Sequence, residues 1–230
     1  MSRPAPDLVA RLLHRDGLLL IIDKPAGWAV HAAPGVGDPL DQHFEQLRFG
    51  LKRDPVLAHR LDKETTGCLV LGRHPKATRK LADLFKAKRV EKTYLAIVDG
   101  VPETEDGVID APLLRVDEGN RAVMRPDAIG QPSETRWKRL SGDGARTLVE
   151  AKPTTGRMHQ IRVHLASIGL PIVGDRLYGD AGSKNGLMLH AVKIRVPMQA
   201  SKPPVEAVAP IPDAFGEMVK SFHPPLTLFD

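Results

Sequence analysis

His59-Arg60-Leu61-Asp62-Lys63-Glu64-Thr65-Thr66-Gly67 stands between two apolar runs, Pro55-Val56-Leu57-Ala58 before it and Cys68-Leu69-Val70-Leu71 after it. The second run reads as a short strand, and the polar stretch as the loop that leads into it. Within the loop, Asp62 has Arg60 and Lys63 as close neighbours. Nearby cations favour the ionised carboxylate and keep it available as a base or nucleophile at neutral pH. A surface turn held by an Asp–Arg pair accounts for the same residues.

Working outward, Leu18-Leu19-Leu20-Ile21-Ile22 predicts a buried strand, closed by a turn at Lys24-Pro25-Ala26-Gly27. Asp38-Pro39 reads as an N-cap and first helical position, with Leu40, Phe44, Leu47 and Leu51 following at helical spacing. Pro75 opens a second helix with Ala77, Leu81, Leu84 and Phe85 inward and Lys76, Arg79, Lys80, Lys86 and Lys88 on the remaining surface. Strands are expected over 93–98, 107–114, 134–140, 145–152 and 188–196. Met158, Ile161, Leu165 and Ile168 place an apolar stripe on a third helix ended by Gly169 and Pro171. The proline-bearing tail reads as extended, apart from a short helix around 214–221. The sum is the α+β class: one mixed domain over residues 18–230, built on a largely antiparallel sheet with flanking helices, after an N-terminal extension of residues 1–17.

Composition bounds the function. The chain has 230 residues, 42% hydrophobic and 27% charged, with a formal net charge of +5. These are ordinary globular proportions. The charge is unevenly spread. Residues 48–92 hold thirteen Lys or Arg against five Asp or Glu, a local net of +8, whereas residues 99–118 hold seven acids and only Arg115. A fold with that asymmetry presents a positive face to an anionic partner. Ten aromatic residues are too few for a platform that stacks successive bases. One cysteine, Cys68, excludes an internal disulfide and any Cys-rich zinc module, and its apolar neighbours make it a buried small hydrophobe. No signal-peptide pattern opens the chain, and no apolar run approaches the ~20 residues of a membrane span. The expectation is a cytoplasmic monomer with no membrane contact.

A second polar cluster is Thr154-Thr155-Gly156-Arg157-Met158-His159-Gln160-Ile161-Arg162-Val163-His164. Arg157, His159, Gln160, Arg162 and His164 crowd the start of the third helix, where exposed amides and two arginines make an anion site. An ordinary solvated helix face accounts for Arg157 equally well. His159 and His164 are about 140° apart around a helix, so they do not form a ligand pair and no metal is expected. Phosphate-loop, dinucleotide and hydrolase-elbow patterns do not occur.

Five segments, in order, resemble the RluA-type pseudouridine synthases. They are Asp23-Lys24-Pro25-Ala26-Gly27 with Val30-His31; His59 to Gly67; Lys92-Thr93-Tyr94-Leu95-Ala96-Ile97-Val98-Asp99-Gly100; Gly156 to Leu165, continued by Gly169, Pro171 to Asp175 and Tyr178-Gly179; and Leu189-His190-Ala191. The resemblance implies the family's catalytic fold and isomerisation of uridine in structured ribosomal or transfer RNA, with no cofactor and no metal. It implies that Asp62 is the catalytic aspartate and that Tyr94 lies against the uracil and takes part in proton transfer at C5. Arg162 would pair with Asp62, Arg60 would fill the gap left by the displaced base, and Leu189 would line the uracil pocket. His59 and Lys63 of the loop, with Arg157, His159 and Gln160 of the helix cluster, are further candidates for RNA contact. The small RNA-binding domain that many members carry ahead of this fold is expected to be absent, which assigns RNA capture to the basic face. The one strong carboxylate also argues against a glycosidase, which needs two across the bond. A non-catalytic RNA-binding or chaperone protein on the same fold is the competing reading.

Overall fold

The computed structural model describes residues 4–32, 37–119, 121–181 and 184–224. The first three residues and residues 225–230, parts of the expected extension and tail, lie outside the described residues. In chain order the elements are β1 (Leu12–Arg15), β2 (Leu19–Lys24), a 3-10 helix (Leu40–Leu47), β3 (Val56–Leu57), β4 (Thr66–Gly72), α1 (Pro75–Lys86), β5 (Glu91–Asp99), β6 (Asp106–Asp110), β7 (Leu113–Glu118) and β8 (Arg121–Pro126). There follow β9 (Glu134–Gly142), β10 (Arg146–Pro153), α2 (Gln160–Ser167), β11 (Leu189–Val196), β12 (Val205–Val208) and α3 (Asp213–Val219). The content is α+β with antiparallel pairing, as expected. Backbone contacts gather the chain into two compact units, residues 1–91 with 191–210 and residues 92–190 with 211–230.

In the first unit β2 pairs antiparallel with β1 on one side and β4 on the other, while β3 also borders β4. The sheet continues from β4 to β11 and β12. Leu19 and Ile21 of β2 and Cys68 and Val70 of β4 point to one face, where Ala77, Leu81 and Leu84 of α1 cover them. Helix α1 starts as its sequence dictates, with Pro75 in the first turn and the His74 ring nitrogen accepting the Ala77 amide at 3.2 Å. Cys68 is buried, and burial pushes its thiol up to about 12. Its sulfur lies 3.6 Å from the carbonyls of Val192 and Ala207.

In the second unit the strand order is β5-β10-β9-β6, with β7 and β8 forming a separate hairpin. Met124 of the hairpin and Val163 of α2 share an apolar cluster with Leu113, against which Met158 and Tyr178 pack.

Several expectations are corrected. The N-terminal extension carries β1, which is hydrogen-bonded to β2. The segment after Pro39 winds as a 3-10 helix that buries Leu40, Phe44 and Leu47 and leaves Leu51 exposed. Asp38 binds His43 at 3.0 Å, so its side chain makes no N-cap. The strand expected over 107–114 divides at Pro112, which has no amide to donate to a ladder, and β8 completes an unforeseen hairpin. Helix α2 begins at Gln160 because His159 sits at φ 53°, in the left-handed region, and Ile168 is exposed beyond its end. In the tail, β12 forms where only extended chain was expected.

Candidate active site

Only a short segment separates Leu57 of β3 from β4, too little for a core of its own. The loop takes its shape from Lys24. This lysine is fully buried, and its ammonium donates to the carbonyls of Pro25, Lys63 and Thr65, each at 2.9 Å. Two of those carbonyls lie one and three residues after Asp62, so the backbone carrying the carboxylate is fastened from beneath. The Thr65 amide donates to the Asp62 carbonyl at 3.2 Å, closing a turn over the same residues. The Asp62 side chain is half-buried, while Arg60, Lys63 and Glu64 are exposed.

Both ends of the loop are also fixed. The His59 ring lies against Phe85 of α1 at 4.7 Å and 25°, and its Nε2 accepts the Val70 amide at 3.0 Å. His59 therefore ties the loop's start to β4 and α1. At the other end Gly67 has φ 104°, and a Cβ there would lie 2.3 Å from the Ala191 carbonyl oxygen. No larger residue fits without moving β4 from β11.

In the second unit Tyr94 is 9% exposed on β5, in register with Ala151 of β10. Two residues before it, the Lys92 ammonium donates to the Thr155 carbonyl at 2.7 Å. Burial lowers its pKa to about 8. Leu189 is buried at the start of β11.

The start of α2 is built from side chains. Gln160 is buried and has no hydrogen-bonding capacity to spare. Its oxygen accepts the Thr155 hydroxyl at 2.7 Å and the Arg157 amide at 3.0 Å, and its nitrogen donates to the Glu134 carbonyl and the Thr135 hydroxyl. Gln160 thus spends its side-chain polar atoms inside the unit, one of them on the Arg157 amide at the helix start. Arg157 donates to the Pro132 carbonyl at 3.2 Å. His164, fully buried, bonds Thr135 and the Ala111 carbonyl, and desolvation lowers its pKa.

Arg162 faces Asp175 in a two-pronged pair, Nε to Oδ2 at 2.7 Å and Nη2 to Oδ1 at 2.8 Å. Asp175 also accepts the amides of Leu177 and Tyr178. Burial alone would raise its carboxyl pKa, but the Arg162 bonds and charge with those two amides hold it below the usual range. The guanidinium lies 5.1 Å from the centre of the Tyr178 ring. The Tyr178 hydroxyl accepts the Met124 amide at 2.9 Å and bonds His159 Nδ1 at 2.8 Å. One tyrosine therefore joins the hairpin, the start of α2 and the Arg162–Asp175 pair.

The sequence reading gave no role to Lys24, Asp175 or Tyr178. Lys24 carried a signal, since a lysine ending an apolar strand just before Pro-Ala-Gly has no reason to be buried unless it binds something. Asp175 and Tyr178 stood in quoted motifs, but Arg162, His159 and Met124, the partners that tie them to α2 and the hairpin, lie 13 residues or more away in sequence.

The antiparallel α+β framework thus carries one fastened aspartate loop with an exposed arginine beside it, in the segment on which the resemblance to the RluA-type pseudouridine synthases rests. The family model described as RNA pseudouridylate synthase matches residues 18–167. An RNA pseudouridine synthase of Zymomonas mobilis subsp. mobilis is 42% identical over 219 residues, covering 93% of this chain and 99% of that one. The ribosomal large subunit pseudouridine synthase C of Vibrio vulnificus is 37% identical over 92% of this chain and 69% of its own. Among solved structures, human RNA pseudouridylate synthase domain containing 4 superimposes with a TM-score of 0.79 at 29% identity, covering 95% of this chain and 96% of that one. This chain belongs to the RNA pseudouridylate synthase family and is an isomerase acting on RNA.

Proposed function

We propose that this enzyme converts uridine in structured ribosomal RNA to pseudouridine, with Asp62 as the essential carboxylate. The observation that carries the reading is the Asp62 loop. Its backbone is fixed by Lys24 while Arg60, two residues before Asp62, remains exposed. The reaction breaks the bond from C1′ to N1 of uracil and forms one from C1′ to C5, with C5 losing a proton and N1 gaining one. A fixed carboxylate suits chemistry at the sugar, since a positioned group costs little reorganisation at the moment of reaction. The target base must leave its stack at a cost of a few kcal/mol. Arg60, free to enter the RNA, offsets that cost by filling the gap. Tyr94 and Leu189, both nearly covered, supply aromatic and apolar wall for the uracil, and Arg162, held in a two-pronged pair by Asp175, supplies a fixed cation.

Ribosomal RNA is favoured because relatives from two Vibrio species are named for the large ribosomal subunit. The decisive experiment is Asp62→Asn, assayed for pseudouridine formation on large-subunit RNA and for binding of the same RNA. Turnover should fall by about 10³-fold or more with affinity kept within about threefold. A variant that still forms pseudouridine at the wild-type rate sinks the assignment. Pseudouridine mapped in large-subunit RNA of cells lacking the protein should show one or more missing sites; an unchanged map would turn attention to transfer RNA.

A further inference from the structure

Helix α1 carries its charges in an arrangement that its own stability does not explain. Lys76, Arg79, Lys80 and Lys86 are exposed along about 15 Å of helix, and Lys88 and Arg89 continue them past its end. None of the six forms an ion pair among the described residues, although Asp83 lies on the same helix. Several cations elsewhere are answered by acids, as Arg139 is by Glu105, Arg146 by Asp99 and Arg195 by Glu91. At the helix start the first turn holds Lys76 and no acid, against the preference of the helix dipole for negative charge there. Lys76 also has like charges three and four residues on, at Arg79 and Lys80, which repel across one face.

At the end of the helix the dipole favours cations, but the backbone geometry does not favour lysine. The Arg89 amide returns to the Leu84 carbonyl at 3.0 Å and the Lys88 amide to that of Phe85 at 3.1 Å, the pair of bonds that closes a helix through a left-handed residue. That position favours glycine, yet it holds Lys88 at φ 56°. Cations are thus retained at both ends of α1 where other residues would stabilise it better. The same helix presses Phe85 on His59, the first residue of the Asp62 loop.

We propose that the exposed stripe of α1, from Lys76 to Arg89, binds the phosphate backbone of the RNA substrate and so delivers it to the Asp62 loop. The inference rests on the pseudouridine synthase reading and singles out one helix within the basic segment. Arg48, Arg73 and Lys92 lie outside the stripe, since they bind Asp54, the Asp16 carbonyl and the Thr155 carbonyl respectively.

The test is a variant with Lys76→Gln, Arg79→Gln and Lys80→Gln, compared with wild type on a folded large-subunit RNA fragment across a salt series. Its dissociation constant should rise at least about tenfold near 0.1 M salt, and the log–log salt slope should shrink by about two to three. KM should rise with it, while kcat at saturating RNA changes less than about threefold. Lys220→Gln, which removes a paired cation elsewhere, should change neither affinity nor slope. Lys88→Gly should raise the unfolding midpoint while weakening RNA binding, a combination that a purely structural lysine would not produce. Unchanged affinity and slope in the triple variant overturn the assignment and turn attention to an acidic protein as the partner of this face. The wild type separates the two levels: a chain that binds RNA through α1 yet makes no pseudouridine refutes the enzymatic reading alone.

Discussion

Asp62 rides on a loop whose backbone is bound by a lysine from another strand, whereas Arg162 rides on a helix whose side chains are bound to groups elsewhere in the same unit. In the loop, Lys24 takes up main-chain carbonyls, and the side chains of Arg60, Lys63 and Glu64 remain exposed for contacts with another molecule. At α2, Gln160, His164 and the Arg162–Asp175 pair spend their polar atoms within the unit. Fastening by backbone leaves side chains available for substrate; fastening by side chains holds those side chains in place. The middle of the loop should therefore lose its shape when Lys24 goes, even with its ends still held by His59 and Gly67, and the helix should weaken by degrees.

Lys24→Met tests the first half and carries the largest expected effect. It leaves the carbonyls of residues 25, 63 and 65 without their donor, that of Thr65 in a buried setting, and stability should fall by about 3 kcal/mol, with pseudouridine formation lost before the chain unfolds. Denaturant midpoints and turnover measured side by side check this; a variant of near-normal stability and activity would mean that the loop holds itself. Asp175→Asn tests the second half, with about 2 kcal/mol expected at pH 7 from loss of charge opposite Arg162. The sign of its pH dependence follows from the depressed carboxyl. Its contribution is complete above the ordinary carboxylate value of about 4 and disappears as pH falls through the lower folded value. The wild type should thus lose more stability than the variant on acidification, and parallel acid limbs would count against the pair.

The smallest effect belongs to Lys92, whose folded pKa of about 8 lies below its unfolded one. Between about pH 8 and 10 the unfolded chain holds a proton that the folded chain has shed, so stability should rise with pH, by about 1 kcal/mol or less for a partly exposed group. Lys92→Met should abolish that rise. An identical pH profile in the two proteins would place its ammonium in solvent.

The elements that sequence made legible are those with a local cause. Pro75 and the Ala77/Leu81/Leu84 spacing define α1, and the apolar runs at Leu19 and Cys68 define the paired strands β2 and β4. β8 was hidden because Arg121-Ala122-Val123-Met124 buries two adjacent residues and shows no clean alternation. The Asp62 loop was visible as a candidate, but its fastener was not, since Lys24 reaches carbonyls 39 and 41 residues away. The charge count of residues 48–92 pointed to a basic face yet overstated it, because a count cannot see that Arg73 turns inward to backbone carbonyls. Gln160 misled for the same reason: a polar residue at a helix start reads as a surface group until its partners are known.

The pairing of Lys24 with Gly67 across β2 and β4 makes the loop a gauge of strand alignment. A shift of one residue between those strands would turn the Lys24 side chain to the opposite face of the sheet and leave the carbonyls at 63 and 65 unbound. A misaligned chain could bury nearly the same apolar surface, because β2 and β4 are apolar on both faces, and so escape a penalty from hydrophobicity alone. It would still lack a formed Asp62 loop. Catalytic competence therefore proofreads the sheet: a molecule that turns over its RNA has reported that its first strands met in the right place.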